Sequence, residues 1–448
     1  AAPQPGNVLN LKRQKARNSA SESLSLSNSS APIITFLTNH FMNNYKKSLL
    51  AALFAASIIL AGCDKDNGPE KTIYVPEETS TAAVNLSENG TANCYIVKPG
   101  SVVSFETSYK GNSKTEPTGE GSVAKLIWQD TKGLVKTVYF DPELQTAYAE
   151  IANSKGNALV AVCDAAGTIL WSWHLWICDY DPEKTLFTTD ANASGTQWTF
   201  MDRNIGATDM NRGSSGNFGM LYQWGRKDPF PGACAFTIQN EDYSYVEDGE
   251  RTLYDIEGKT LPKIKDLAEY HGTIEKSIRQ PATFFAMTYK ANGNVDESGN
   301  PEYDCDYITK DWVDVSDDDY WGGVSGKKTI YDPCPVGYKV PVSDAEGNTP
   351  YAWMKFTDMT WDPTNRGAID KDQWFPCTGT RVYASGGLDN PEANPYAGVW
   401  FGTASVKSAT STSPVAYGQY MGIMKNKRMY KVMKDARSQG MSVRCVKE

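Results

Sequence analysis

Three groups of residues in this 448-residue chain have the types and spacing for chemistry: an acidic cluster set among aromatics, nine cysteines and three histidines. The cluster is Asp311-Trp312-Val313-Asp314-Val315-Ser316-Asp317-Asp318-Asp319-Tyr320-Trp321. Oxygen-rich loops of this kind can hold Ca²⁺, which makes Asp314, Asp317, Asp318 and Asp319 the calcium candidates. The spacing is not that of an EF-hand and the closing Glu is missing, so the expected state is a solvated acidic loop without a cofactor. Catalytic groups are scarce. Beyond Cys63 only His174 and His271 remain and no Cys-x-x-Cys occurs, so neither a Cys/His zinc site nor a Ser/His/Asp arrangement is suggested. Paired acids for glycoside hydrolysis need a spacing that only the fold supplies, and nothing singles out two of the many carboxylates. No catalytic residue is assigned, and the chain is not expected to be an enzyme.

Cys63 has a different chemistry. Residues 42–62 read Met-Asn-Asn-Tyr-Lys-Lys, then an apolar run from Leu49 to Leu60 broken only by Ser57, then Ala61-Gly62. A short positive region, an apolar stretch too short to cross about 30 Å of hydrocarbon, and small residues at its end are the parts of an export signal in their usual order. Leu60-Ala61-Gly62-Cys63 resembles the lipobox of bacterial lipoproteins, which implies diacylglycerol on the Cys63 sulfur and removal of residues 42–62. Residues 1–41, basic and then Ser-rich, read as a disordered extension upstream of the true start. Residues 63–72 form an acidic tether similar to the surface-export signal of Bacteroidetes lipoproteins. The expected location is the outer membrane, with the chain exposed at the cell surface.

Residues 1–62 carry six of the 44 Lys+Arg and one of the 53 Asp+Glu, which leaves 38 against 52 and a net of −14. Such a field repels nucleic acid and anionic lipid and favours solubility, so nucleic acid is excluded as a partner. Trp, Tyr, Gly, Asn and Asp in quantity point to strands joined by long structured loops.

Two modules follow from the pattern. From 73 to 182, short β-type runs recur: Cys94–Val97, Val102–Phe105, Ala124–Trp128, Val135–Phe140 and Thr146–Ile151. A hairpin closes them, Ala158–Cys163 turning through Asp164-Ala165-Ala166-Gly167 into Thr168–Ile177. Strands at this spacing predict a β-sandwich. Trp171, Trp173 and Leu175 share one face of the last strand and are expected in the core or at a domain interface ahead of a glycan-stacking platform, with His174 opposite as a surface or satisfied polar group.

The second module, 185–448, contains Asp202-Arg203-Asn204-Ile205-Gly206-Ala207, then Tyr222-Gln223-Trp224-Gly225-Arg226-Lys227-Asp228-Pro229, then Cys334-Pro335-Val336-Gly337-Tyr338, and finally Ser442-Val443-Arg444-Cys445. In this order they resemble the Fibrobacter succinogenes major paralogous domain, a family of bacterial surface proteins related to C-type-lectin-like and sulfatase-modifying folds. The resemblance implies a fold that is mainly β with α+β character: an N-terminal β-sandwich followed by a loop-rich, C-type-lectin-like α+β domain with an insertion at 232–330. It also implies that the domain's ends are tied together, with Cys334 and Cys445 as the disulfide. Within the insertion, Leu261–Tyr270 and Glu275–Arg279 are expected to form helical turns.

C-type lectins that bind sugar through calcium typically use Glu-Pro-Asn or Gln-Pro-Asp, and neither occurs; Asp389-Asn390-Pro391-Glu392 is the nearest likeness. The reactive cysteine pair of the sulfatase-modifying enzymes is not reproduced either. The expected function is a binding or adhesion module for a glycan or a partner protein, ahead of a structural or fimbria-associated envelope subunit, with a sulfatase-modifying-like enzyme third. Trp321, Tyr383, Tyr396 and Trp400 are the expected stacking surfaces.

Overall fold

Along the strand Ile169–Ile177, every residue from Trp171 onward is buried, although alternate side chains of a strand point to opposite faces. Both faces of that strand are therefore covered, and this determines how the chain is layered. In the computed structural model of the protein, residues 83–448 are described apart from 235–236, 240–241, 245–248, 288, 296–300, 309, 324, 356–357, 366, 389–395, 406–415 and 425–428. Side chains are described for the same residues, excluding also 237–239, 242–244, 289–295, 301–308, 396–397, 405 and 424. The upstream extension, the export signal, Cys63 and the tether lie outside the described residues.

Eight strands build the first layers: β1 (Val84–Asn85), β2 (Cys94–Val97), β3 (Val102–Glu106), β4 (Val123–Gln129), β5 (Val135–Asp141), β6 (Thr146–Ile151), β7 (Gly156–Cys163) and β8 (Ile169–Ile177). They form two four-stranded sheets, ordered β1-β3-β6-β5 and β2-β8-β7-β4. The predicted sandwich is present. Trp171, Trp173, Leu175 and Ile177 point between the sheets, where they meet Val103, Phe105, Phe140, Ala149 and Val160. The hairpin turn is the expected one, with the Gly167 N–H donating to the Asp164 carbonyl at 3.0 Å and Gly167 at φ +83°. Only β1, two residues long, carried no signal in the sequence.

The opposite face of the β2-β8-β7-β4 sheet is covered by later residues. Trp128, Leu159 and Trp176 share one core with Met201, Tyr222, Trp224, Trp312, Trp321 and Trp400. The edge strand β4 is capped as well, since Gln129 and Tyr254 exchange backbone hydrogen bonds at 3.0 and 2.9 Å. Over that face lies a five-stranded sheet in the order Leu221–Gln223, Gly440–Val443, Tyr396–Ser405, Tyr417–Met424, Met429–Ala436. The C-terminal Val446–Lys447 pairs with both Thr199–Phe200 and Tyr338–Lys339. Cys334 and Cys445 are bonded across this junction, with Cα atoms 6.0 Å apart.

Helix is scarce. Among the described residues the one α-helix is Ile274–Arg279, capped by the Thr273 hydroxyl accepting from the Lys276 N–H. The turns expected over Leu261–Tyr270 reduce to a 3₁₀ segment, Ile264–Leu267, without a side-chain cap. Ala268–Glu269 instead pairs in parallel with Phe284–Phe285, a tertiary pairing that overrides local helical preference.

Candidate functional site: loops pinned by buried arginines

The Tyr222–Pro229 motif lies at the centre of the molecule. The strand Leu221–Gln223 pairs with Gly440–Val443, and the chain then turns at Gly225, φ +83°, where an added Cβ would lie 2.9 Å from the Tyr320 side chain. A side chain at 225 would push Tyr320 and the acidic segment outward. Lys227 and Asp228 point at the sandwich, where both bond Ser172 Oγ, at 2.5 and 2.7 Å, and each other at 2.6 Å. Arg226 points the other way and is fully buried. Its Nη1 donates to Gln223 Oε1 and the Thr283 carbonyl at 3.0 and 2.7 Å, and its Nη2 to the carbonyls of Gln280 and Pro281 at 3.2 and 3.0 Å. Burial pushes its guanidinium down to about 10, which leaves it charged at neutral pH.

Two more buried guanidiniums repeat the device. Arg381 donates through Nε and Nη2 to the Pro231 carbonyl at 2.9 and 2.6 Å, through Nη1 to the Gly386 carbonyl at 2.6 Å, and pairs with Glu250 at 2.6 Å. Arg437 lies over the Trp224 ring, reaches the Asp317 carbonyl at 2.9 Å and Asp311 at 3.4 Å, and also pairs with Asp318. A guanidinium offers five donors in a fixed fork, so one side chain can fasten several carbonyls of a loop at once. Leaving water costs a charge several kcal/mol unless such partners compensate. Here each of three arginines fastens a different irregular segment to the β framework.

The fastened loops meet on one surface. The turn after Arg381 is closed by Gly386 N–H donating to the Val382 carbonyl at 2.8 Å, while Tyr383 N–H donates to Gln439 Oε1 at 2.9 Å and its carbonyl accepts from Met287 at 3.0 Å. Beside it, Tyr270 Oη approaches the Ala384 carbonyl at 3.4 Å. His271, at φ +57°, follows, with its carbonyl accepting from Lys276 Nζ at 3.1 Å. Gly272 then receives the Asp314 N–H at 3.0 Å, which places Val315 on the adjoining loop. Tyr270 is 52 % exposed and Tyr383 37 %.

Of the residues expected to stack on a ligand, Tyr383 is on this surface. Trp321 and Trp400 are not, being 1 % and 0 % exposed. Each is core because its indole N–H already has an internal acceptor: Trp321 donates to the Tyr331 carbonyl at 3.1 Å and Trp400 to that of Tyr222 at 2.9 Å. Tyr396 opens the strand Tyr396–Ser405, and its side chain lies outside the described ones. Tyr270 was missed because it stood inside an expected helix, where nothing marks a residue as exposed.

The acidic segment is solvated only in its middle. Asp311, Trp312, Val313, Tyr320 and Trp321 are buried, and residues 314–319 are exposed. Its carboxylates do not converge on a common point. Asp318 faces Arg437, Asp317 Oδ1 accepts the Asp319 N–H at 2.8 Å, and Asp314 lies 3.8 Å from His271 Nδ1. Among the described residues no three acidic, His or Cys side chains form a metal-sized group. Because the Asp318 side chain is 60 % exposed, Asp318→Ala is expected to cost below about 1 kcal/mol. Urea denaturation measures this, and a loss of several kcal/mol would mean that Arg437 depends on Asp318 and not on Asp311.

His174 belongs to a closed polar network. Asn157 Nδ2 donates to Asp130 Oδ2 and the Gly206 carbonyl at 3.0 and 3.1 Å, which fixes its Oδ1 as an acceptor facing His174 Nε2 at 3.0 Å. Nε2 must then carry the proton, and Nδ1 accepts from Tyr222 Oη at 3.2 Å or Cys94 Sγ at 3.4 Å. The order thiol, imidazole, amide is that of a cysteine nucleophile. Burial works against that chemistry, raising the Cys94 thiol well above its ordinary range and pushing His174 down to about 3. Both groups are neutral at pH 7 and sealed from solvent. The network therefore joins the sandwich to the motif strand.

Compared with protein-family models, with curated proteins and with solved structures, the chain has no match.

Proposed function

We propose that the chain is a lipoprotein of the bacterial outer membrane, anchored through Cys63 and displayed at the cell surface, where it binds a glycan or a partner protein without catalysing a reaction. The observation that carries this reading is the fastening of exposed loops by fully buried arginines, with two tyrosines held outward on touching turns. A loop held in one conformation loses little further freedom on binding, which is how a scaffold gains affinity through preorganisation. The export signal and lipobox likeness support the anchor, and the order of the motifs supports a place in the Fibrobacter succinogenes major paralogous domain family.

Two measurements test the proposal. Surface biotinylation of intact cells producing the full chain is expected to label it, and Cys63→Ser is expected to release it from the membrane fraction. The full chain is also expected to bind members of an array of glycans and extracellular proteins. Labelling only after lysis would remove the surface location, and a silent array would remove the recognition role.

A further inference from the structure

Among the described residues, Tyr270 and Tyr383 are the two aromatic side chains left substantially open to solvent. They do not stand apart: the Tyr270 hydroxyl approaches the turn that carries Tyr383, at the Ala384 carbonyl. Both backbones are held. Tyr383 is bonded through its N–H and its carbonyl to Gln439 and Met287, and Arg381 fastens the turn at Gly386. Tyr270 follows the paired residues Ala268–Glu269 and precedes the Gly272–Val313 bridge.

We infer that Tyr270 and Tyr383 form a stacking platform for a pyranose ring of a neutral saccharide. The inference rests on the recognition reading above and adds to it a site and a ligand class. An aromatic ring with a polar tip offers an apolar face to the C–H face of a sugar and a hydroxyl to its edge, and a tyrosine on a fixed backbone has only two side-chain torsions left to order. The surroundings favour a sugar over an apolar protein surface. Glu269 and His271 neighbour Tyr270 in the chain and Ser385 follows Tyr383 by two residues, and among the described residues Val315 is the exposed large aliphatic on the adjoining loops. An extended apolar patch, which a protein or lipid partner would need, is not formed by these residues. Charge selects within the class, because a chain of net −9 repels sialylated and sulfated sugars at long range.

The test is an array of neutral, sialylated and sulfated glycans probed with the full chain, with Tyr270→Ala, with Tyr383→Ala, with the double variant, and with Val432→Ala as an exposed control elsewhere. Neutral glycans are expected to be captured, each single Tyr variant to weaken capture about tenfold, the double variant to abolish it, and Val432→Ala to match the wild type. Thermal midpoints of the Tyr variants are expected to stay at the wild-type value, since exposed rings contribute little to the core. Equal capture by the double variant would overturn the site, and capture confined to charged glycans would overturn the ligand class; both would leave the recognition reading standing. Capture of a protein with no glycan bound would likewise overturn the saccharide alone. Silence toward glycans and proteins would overturn both.

Discussion

Replacing Cys334 and Cys445 together by Ser is expected to lower the stability of the chain by up to about 5 kcal/mol. The two residues are 111 apart in sequence, and in the chain-entropy model a loop of that size restricts the unfolded chain by roughly that amount. The bond also lies where local pairing is thin. Val446–Lys447 contributes a two-residue strand between Thr199–Phe200 and Tyr338–Lys339, and Met201 N–H donates to the Cys445 carbonyl at 2.9 Å. The bridge adds a covalent tie to the backbone bonds that return the C-terminus to the start of the second module. Urea denaturation of the wild type and the double variant measures the difference, and peptide mapping without reductant checks the pairing. Equal midpoints, or both thiols alkylated in the untreated protein, would contradict the account.

The second large effect is acid sensitivity at His174. Its pKa is about 3 in the folded chain, against an ordinary value of 6.5, and the cause is burial. A depressed histidine pKa means that the unfolded chain binds the proton first as pH falls. The stability associated with neutral His174 is thus complete above about pH 6.5 and is lost progressively down to about pH 3. At 1.36 kcal/mol per pH unit this amounts to about 3 kcal/mol between pH 7 and pH 4. Asp332 acts in the opposite sense. Burial raises its carboxyl to about 6, so the folded chain takes up that proton first and gains relative stability as pH falls from about 6 toward 3.8. The two effects overlap in the wild type, and the measurement must be a difference. His174→Gln does not titrate, so the stability of wild type relative to this variant is expected to fall by about 3 kcal/mol from pH 7 to pH 4. A difference independent of pH would show that His174 is solvated or already charged.

How much of this was legible in the sequence depended on the kind of signal. The strands β2 to β8 and the hairpin at Asp164–Gly167 were readable because alternation and turn residues are local properties. The Cys334–Cys445 pair was reached only through the resemblance, since eight cysteines allow many pairings. The roles of Trp321 and Trp400 were not readable, because the same indole serves as core or platform depending on whether its N–H finds an internal acceptor. Arg226, Arg381 and Arg437 gave no sign of burial either. Charged residues are almost never buried unless paired, and each of the three has a partner carbonyl more than 50 residues away that only the fold brings near. Tyr270 was hidden for the same reason: its exposure follows from the pairing of Ala268–Glu269 with Phe284–Phe285, a contact outside any local window.

Tyr383, on a turn fastened by the buried Arg381, and Tyr270, on the touching segment held by the Ala268–Glu269 pairing, are together presented to a ligand. Amide hydrogen exchange of the full chain, with and without the array member it binds best, locates that contact directly. Slowed exchange is expected at 268–273 and 382–387 on binding, with the strand Val135–Asp141 unchanged. Protection confined to that sandwich strand, with no change in the two loops, would contradict this expectation.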